Sequence, residues 1–140
     1  MNTSSPNVQP AVAAAGRVLL AVLFLLSGVQ KLFAPAMIQG YIASAGMPAP
    51  SAVYMLTVLV EIGAGALLLA GLWTRLAAWI LAVFTVAAAL IFHRALGDPN
   101  QFVHFMKNIA IAGGLLHVAG LGAGAFSLDG YTMQGRRSAA

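Results

Sequence analysis

Cysteine is absent from this chain of 140 residues, and charged side chains are scarce. The absence of thiols excludes a disulfide framework, a thiolate metal site and a thiol relay within the subunit. Charged residues make up 7% of the chain, whereas an average soluble domain has about 25%. Because 61% of the residues are hydrophobic, the chain cannot cover a surface that faces water. We therefore predict a single-domain integral membrane protein surrounded by the lipid bilayer.

The sequence also lacks the patterns of several common functions. Its seven Lys and Arg residues are scattered, with no basic stripe and no interleaved aromatic residues, which excludes nucleic-acid binding. It contains no nucleophile motif, no phosphate loop and no haem attachment sequence. The expected positions of its three histidines do not converge, so no metal site is predicted.

Four apolar stretches are long enough to cross a bilayer as helices. The loop after the first stretch has apolar residues spaced as in a short amphipathic helix on the membrane surface, namely Met37, Ile38, Tyr41 and Ile42. The predicted fold class is therefore all-α, an integral membrane four-helix bundle with a short amphipathic helix in the first loop. The four spans are expected at about residues 11–33, 52–72, 76–92 and 102–121.

The ends of the chain are polar. Residues 1–10 are predicted to be a disordered tail, 11–126 the four-span domain and 127–140 a polar C-terminal tail. The first span is expected to be retained rather than cleaved as a signal peptide. Four spans place both termini on one side of the membrane, and the basic residues there predict that this side is the cytoplasm: Arg17, Arg75, Arg136 and Arg137.

Two further expectations concern the membrane boundary. Arg17 lies near the start of the first span, so its long side chain is expected to reach the membrane rim. Tyr54, Trp73 and Trp79 lie toward the ends of spans and are expected to anchor the protein at the interface.

Glu61 is the one acidic residue inside an apolar span. A charge at such depth costs about 2.5–3.5 kcal/mol on translocon scales, so it requires partners. Because successive spans alternate in direction, the end of the first, the start of the second, the end of the third and the start of the fourth share one leaflet. That leaflet collects Gln30, Lys31, Glu61, His93, Arg94, Lys107 and Asn108. The sequence thus predicts a polar pocket near the outer face, in which Lys31 and Lys107 can both reach Glu61.

The polar pocket has two interpretations that the residues alone leave open. It is either a structural clasp that joins the four helices or a site that binds or protonates a ligand. Two lysines and one glutamate leave an excess positive charge, which suits a polarised oxygen, such as a quinone carbonyl, or an anionic ligand. His93 lies at a helix end, where a solvated histidine is the more common case.

Several short segments resemble the DoxX family of small bacterial membrane proteins. They occur in order between residues 16 and 129, and the Phe92-His93 step and the final Ser127-Leu128-Asp129 also fit the pattern. The segments are SGVQKLFAP at 27–35, GMP at 46–48, VEIG at 60–63, GLWTRLA at 71–77 and FMKNI at 105–109.

The resemblance implies a four-helix bundle of the bacterial inner membrane, often described as an oxidoreductase. A related family supplies a subunit of a thiosulfate:quinone oxidoreductase. The recurring polar positions of the family correspond here to Lys31, Glu61, Lys107 and Asn108.

The function that follows is that of a quinone-linked oxidoreductase subunit without a covalently bound cofactor. Glu61 and Lys107 are assigned catalytic roles: Glu61 handles protons, and Lys107 polarises a quinone oxygen together with Lys31. The remaining ligand-binding assignments are Gln30, Lys31, Tyr41, His93 and Asn108. Because the chain lacks cysteine, electron transfer requires a quinone or a redox partner subunit.

The sequence leaves two other functions open. The protein could be a non-catalytic membrane scaffold that anchors a soluble redox or stress-response partner, with the polar pocket as a clasp. A permeation path for small solutes has less support, because the loops are short. The composition is compatible with a homo-oligomer.

Overall fold

The structure, a computed structural model, describes residues 8–138. All secondary structure within these residues is α-helical. Four of the helices are long and apolar enough to cross a membrane, which confirms the predicted fold class. The helices are α1 (Val8–Leu32), α2 (Pro35–Ser44), α3 (Pro50–Ala70), α4 (Thr74–Phe92), α5 (Pro99–Leu121) and α6 (Leu128–Ser138).

The helix bounds differ from the predicted spans by a few residues. α1 begins at Val8, so the last three residues of the predicted disordered tail are helical, and residues 1–7 of that tail lie outside the described residues. Pro50 and Pro99 occupy the first turns of α3 and α5, where a proline loses no hydrogen bond and its fixed backbone angle suits a helix. The Asp98 carboxylate then caps α5 by accepting from the amides of Asn100 and Gln101.

The predicted helix of the first loop is α2, which packs against α3. Its one buried residue is Ile42, and Tyr41 is exposed. We call the end of the bundle that carries α2 the α2 end, and the opposite end, which carries α6, the α6 end.

The four long helices pack most tightly in the half of the bundle nearest the α6 end. The buried core there consists largely of alanine, which lets helix backbones approach closely when lipid supplies no hydrophobic driving force. Its members include Ala21, Phe24, Ala64, Leu68, Ala77, Ala78, Leu81, Ala82, Leu115 and Ala119. In the other half the same helices surround a cavity, described below.

The prediction that the Arg17 side chain reaches the membrane rim was wrong, because Arg17 is buried, with 4% of its surface exposed. Its guanidinium donates hydrogen bonds to the carbonyls of Leu68 at 2.6 Å and Leu69 at 2.7 Å, and to that of Phe126 at 2.8 Å. The last carbonyls of a helix lack partners within the helix and carry partial negative charge. Arg17 is therefore drawn inward, to the end of α3, and also holds the segment that precedes α6.

The predicted C-terminal tail joins the bundle through Asp129. Its amide donates to the Gly71 carbonyl at 2.9 Å, and its carboxylate accepts from the amides of Trp73 at 3.0 Å and Thr74 at 2.9 Å. Partial burial alone would raise the pKa of the Asp129 carboxyl, but the hydrogen bonds from Thr74 and Trp73 and the nearby Arg17 charge outweigh it. The pKa of Asp129 therefore lies below its usual value, and the carboxylate that caps α4 is ionised at neutral pH.

Gly71 makes the turn between α3 and α4, and Gly71→Ala is expected to lower the free energy of unfolding by about 2 kcal/mol. Gly71 has a backbone φ of +68°, and a methyl group there would overlap Ser127 Cβ and lie 2.9 Å from Arg17 Nη1. Chemical unfolding in mixed micelles would measure the loss. Gly63→Ala is the matched control, because Gly63 lies inside α3 with open space around it. An equal effect of both substitutions would contradict this account of the turn.

Candidate functional site

The half of the bundle nearest the α2 end contains a cavity of about 680 Å³ lined by residues of α1 to α5. This volume falls within the range of about 300–1,000 Å³ that is usual for small-molecule sites. Most of the cavity wall is apolar, and its polar side chains are concentrated toward the α2 end. Such a wall suits a ligand with an apolar body and a polar group at one end.

The structure brings all seven predicted site residues to this one cavity. They come from four helices and from the end of α4, as the alternating direction of the spans requires. These residues are Gln30, Lys31, Tyr41, Glu61, His93, Lys107 and Asn108. Their chemical roles remain predictions.

The centre of the polar cluster is an ion pair between Lys31 of α1 and Glu61 of α3. Lys31 Nζ lies 2.8 Å from Glu61 Oε2 and 3.0 Å from Oε1. The Ser27 hydroxyl accepts from Lys31 Nζ at 2.7 Å and donates to Glu61 Oε1 at 3.2 Å. Glu61 is only 5% exposed, so this arrangement offsets the cost of a carboxylate at that depth.

The local sequence explains how the ion pair forms. Ser27 and Lys31 are four residues apart, which puts them on one face of α1. Gly28 lies between them, and a Cβ atom there would be 3.2 Å from Glu61 Cβ and 2.7 Å from Ile62 Cγ1. The small residue therefore lets α1 approach α3 closely enough for the side chains to meet.

Tyr54 was expected to anchor the protein at the membrane interface, and this prediction was wrong. Its side chain is buried, with 7% exposed, and its hydroxyl donates to the Lys31 carbonyl at 3.2 Å. That carbonyl belongs to the last turn of α1, where it has no partner within the helix. Tyr54 thus fixes the end of α1 beside the ion pair.

Lys107 lines the same cavity but does not reach Glu61 as predicted. Its side chain is exposed, and its Nζ lies 3.4 Å from His104 Nδ1. Lys31 is the ion-pair partner of Glu61, and both carboxylate oxygens are already engaged. Lys107 therefore contributes the excess positive charge that the sequence predicted, now located on the α5 side of the cavity.

Aromatic rings lie at the α2 end of the cavity. His93 is half-buried rather than freely solvated, and its Nδ1 lies 2.8 Å from Gln101 Oε1. Its ring stacks on that of His104 with centroids 5.0 Å apart. Tyr41 of α2 stacks similarly on Phe92 of α4, at 5.3 Å.

His104 was not among the predicted site residues. It lies one helical turn before Lys107, and this spacing is the sequence signal that could have identified it.

Comparison with known proteins identifies a family and two relatives of this chain. Residues 12–94 match the family described as DoxX. Two proteins of Escherichia coli K12 are similar to this chain over most of their length. Inner membrane protein YqjF is 36% identical, and the match covers 81% of this chain and 85% of the length of YqjF. Inner membrane protein YphA is 32% identical, and the match covers 86% of this chain and 90% of the length of YphA. No solved structure matches significantly.

Proposed function

Because the chain belongs to the DoxX family and is an inner-membrane protein like its relatives, we propose that its cavity binds a quinone and that the protein is a quinone-linked oxidoreductase subunit. One observation carries this proposal: a cavity of about 680 Å³ with a mostly apolar wall gathers at one end a buried ion pair, an amide, and a lysine that has no acidic partner among the described residues.

The residues of the cavity fit the chemical character of a quinone. A quinone has an apolar ring with carbonyl oxygens that accept hydrogen bonds, and when bound it supplies two-electron, two-proton redox chemistry. Lys107 Nζ is a charged donor on the cavity wall, and the amide group of Asn108, the next residue of α5, is a neutral one. Charged donors make the stronger hydrogen bonds, so Lys107 would polarise one oxygen while Asn108 and Gln30 orient the ring.

The Lys31–Glu61 pair has a different place in the proposal. Glu61 is the acidic side chain in the cavity wall, so its carboxylate is the group of this chain that would handle protons near the ligand. Tyr41 and His93 would shield the α2 end of the cavity from water. Electrons would come from a redox partner subunit, since the chain contains no cysteine.

A second function is favoured by a specific observation about the same ion pair. The charges of Lys31 and Glu61 are satisfied by each other and by Ser27, across the contact between α1 and α3. An ion pair whose charges are both engaged within the protein can serve as a structural clasp between two helices. If it has no other role, the protein would be a scaffold that anchors a soluble redox or stress-response partner.

Quinone binding by the purified protein in detergent distinguishes the two functions. We expect decylubiquinone to bind, and Lys107→Met to weaken its affinity about tenfold or more, because a charged hydrogen bond contributes about 1.5–3 kcal/mol. Isothermal titration calorimetry measures the affinity directly. Arg94→Met is the matched control, since Arg94 is an exposed cation at the same end that does not line the cavity. Absence of binding, or equal affinities for wild type and Lys107→Met, would favour the scaffold.

A further inference from the structure

The relation between α1 and α5 changes along the bundle. α5 comes close to α1 at Gly114, where a Cβ atom would lie 3.6 Å from Leu20 Cδ1. Farther toward the α2 end, residues of both helices line the cavity. We call this part of the cavity wall the α1–α5 seam, and its residues include Leu23 and Leu26 of α1 and Ile111 of α5.

The seam is apolar and lies within the membrane-spanning segments. Leu23 is 43% exposed and Leu26 is 58% exposed, although both line the cavity. Leu23, Leu26 and Ile111 belong to helices that are long and apolar enough to cross the membrane. Hydrocarbon, rather than water, is therefore the medium that meets the seam.

The polar end of the cavity is covered from the side of the α2 helix. Ile42 of α2 is 3% exposed and also lines the cavity, and Tyr41 bridges to α4 by stacking on Phe92. A ligand that approached from water on this side would meet α2 before it reached the polar residues.

From these observations we infer that the ligand is a membrane-resident amphiphile that enters from the bilayer through the α1–α5 seam and leaves its hydrocarbon chain there. The inference rests on the proposed function and specifies its substrate class, a quinone that bears a hydrocarbon chain. Asn108 and Ile111 are three residues apart on α5, a rise of about 4.5 Å. A headgroup at Asn108 and Lys107 would therefore continue directly into a chain between Ile111 and Leu23.

Steric obstruction tests this arrangement better than a change in polarity. The hydrocarbon chain of the ligand moves from one apolar medium, the bilayer, into another, the seam. Its binding is therefore stabilised by packing contacts and not by the hydrophobic effect. Leu23→Trp and Leu26→Trp each place a larger side chain in the seam. Leu19→Trp is the matched control, since Leu19 lies one turn away on α1, is 72% exposed and does not line the cavity.

The experiment compares two probes in one detergent: decylubiquinone, and ubiquinone-0, which has the same ring without the chain. We expect both seam variants to weaken decylubiquinone binding about tenfold through lost packing and steric overlap, with ubiquinone-0 binding and the Leu19→Trp variant unchanged. Unchanged decylubiquinone affinity in both seam variants, or equal losses for the two probes, would overturn the seam while leaving the quinone site in place. If the wild type binds neither probe, the proposed function itself is overturned, and the seam inference with it.

Discussion

Lys31→Met is expected to lower the free energy of unfolding by about 3–5 kcal/mol, because removing one partner of a buried ion pair leaves the other charge uncompensated. In this protein the uncompensated group would be the Glu61 carboxylate, which is 5% exposed and would keep only the Ser27 hydroxyl as a partner. Unfolding in mixed micelles, followed by circular dichroism, would measure the change.

The double variant Lys31→Met/Glu61→Leu distinguishes the effect of losing the ion pair from the effect of leaving one buried charge without its partner. Replacing a buried ion pair with apolar residues of similar volume is often neutral or stabilising, so the double variant should recover most of the stability that Lys31→Met loses. Lys107→Met is the control, because Lys107 lines the same cavity but is exposed and pairs with no acidic residue in the part of the chain that the structure describes. If Lys31→Met and Lys107→Met had similar effects, the ion pair would not hold α1 to α3.

Arg17→Met should cost about 3 kcal/mol, because a hydrogen bond from a charged donor contributes about 1.5–3 kcal/mol and three such bonds would be lost. The carbonyls of Leu68, Leu69 and Phe126 would lose their shared donor. Since Phe126 precedes α6, the substitution should also release that helix. Chymotrypsin cleavage at the exposed Tyr131 should become faster, in addition to the loss of stability.

Two variants make the test of Arg17 specific. Arg17→Lys should recover only part of the stability, because an ammonium lacks the planar fork of donors that a guanidinium offers. Arg75→Met removes an exposed cation at the same end of the bundle and should leave the cleavage rate at Tyr131 unchanged. Faster cleavage in Arg75→Met would show that the effect comes from net charge rather than from the Arg17 hydrogen bonds.

The spans and the cavity were predictable from the sequence because both follow from strong constraints. A bilayer admits only long apolar helices, and connected helices alternate in direction. Those two constraints were enough to bring Lys31, Glu61 and Asn108 together, with no knowledge of rotamers or of the helix packing angles. The predicted side of the membrane for the two termini stays a prediction.

The errors concern side chains whose length leaves them a choice of partners. Arg17 was assigned to the rim because its position along α1 allows it to reach water. Position alone does not reveal that the last carbonyls of α3 lie beside it and accept its hydrogen bonds. Lys107 was assigned to Glu61 by the same argument from reach. In the structure Lys31 and Ser27 already occupy both oxygens of Glu61, and competition of this kind cannot be seen in a linear sequence.

The Ser127-Leu128-Asp129 segment illustrates another limit of prediction from sequence. Its agreement with the family pattern indicated a role for these residues but did not say what they do. The structure shows that Asp129 caps α4, and that the Ser127 hydroxyl donates to the Gly124 carbonyl and accepts from the Gly130 amide. The Asp129 contacts depend on the chain returning to the turn before α4, more than 50 residues earlier in the sequence, whereas the Ser127 bonds are local.

The alanine-rich packing near the α6 end offers a practical opportunity for protein engineering. Ala77, Leu81 and Leu115 hold the helices together at a level that the cavity does not reach. A library that varies only Leu23, Leu56 and Ile111 should consequently yield mostly folded proteins with altered ligand preference. The same scaffold could then be adapted to accept other lipid-soluble compounds.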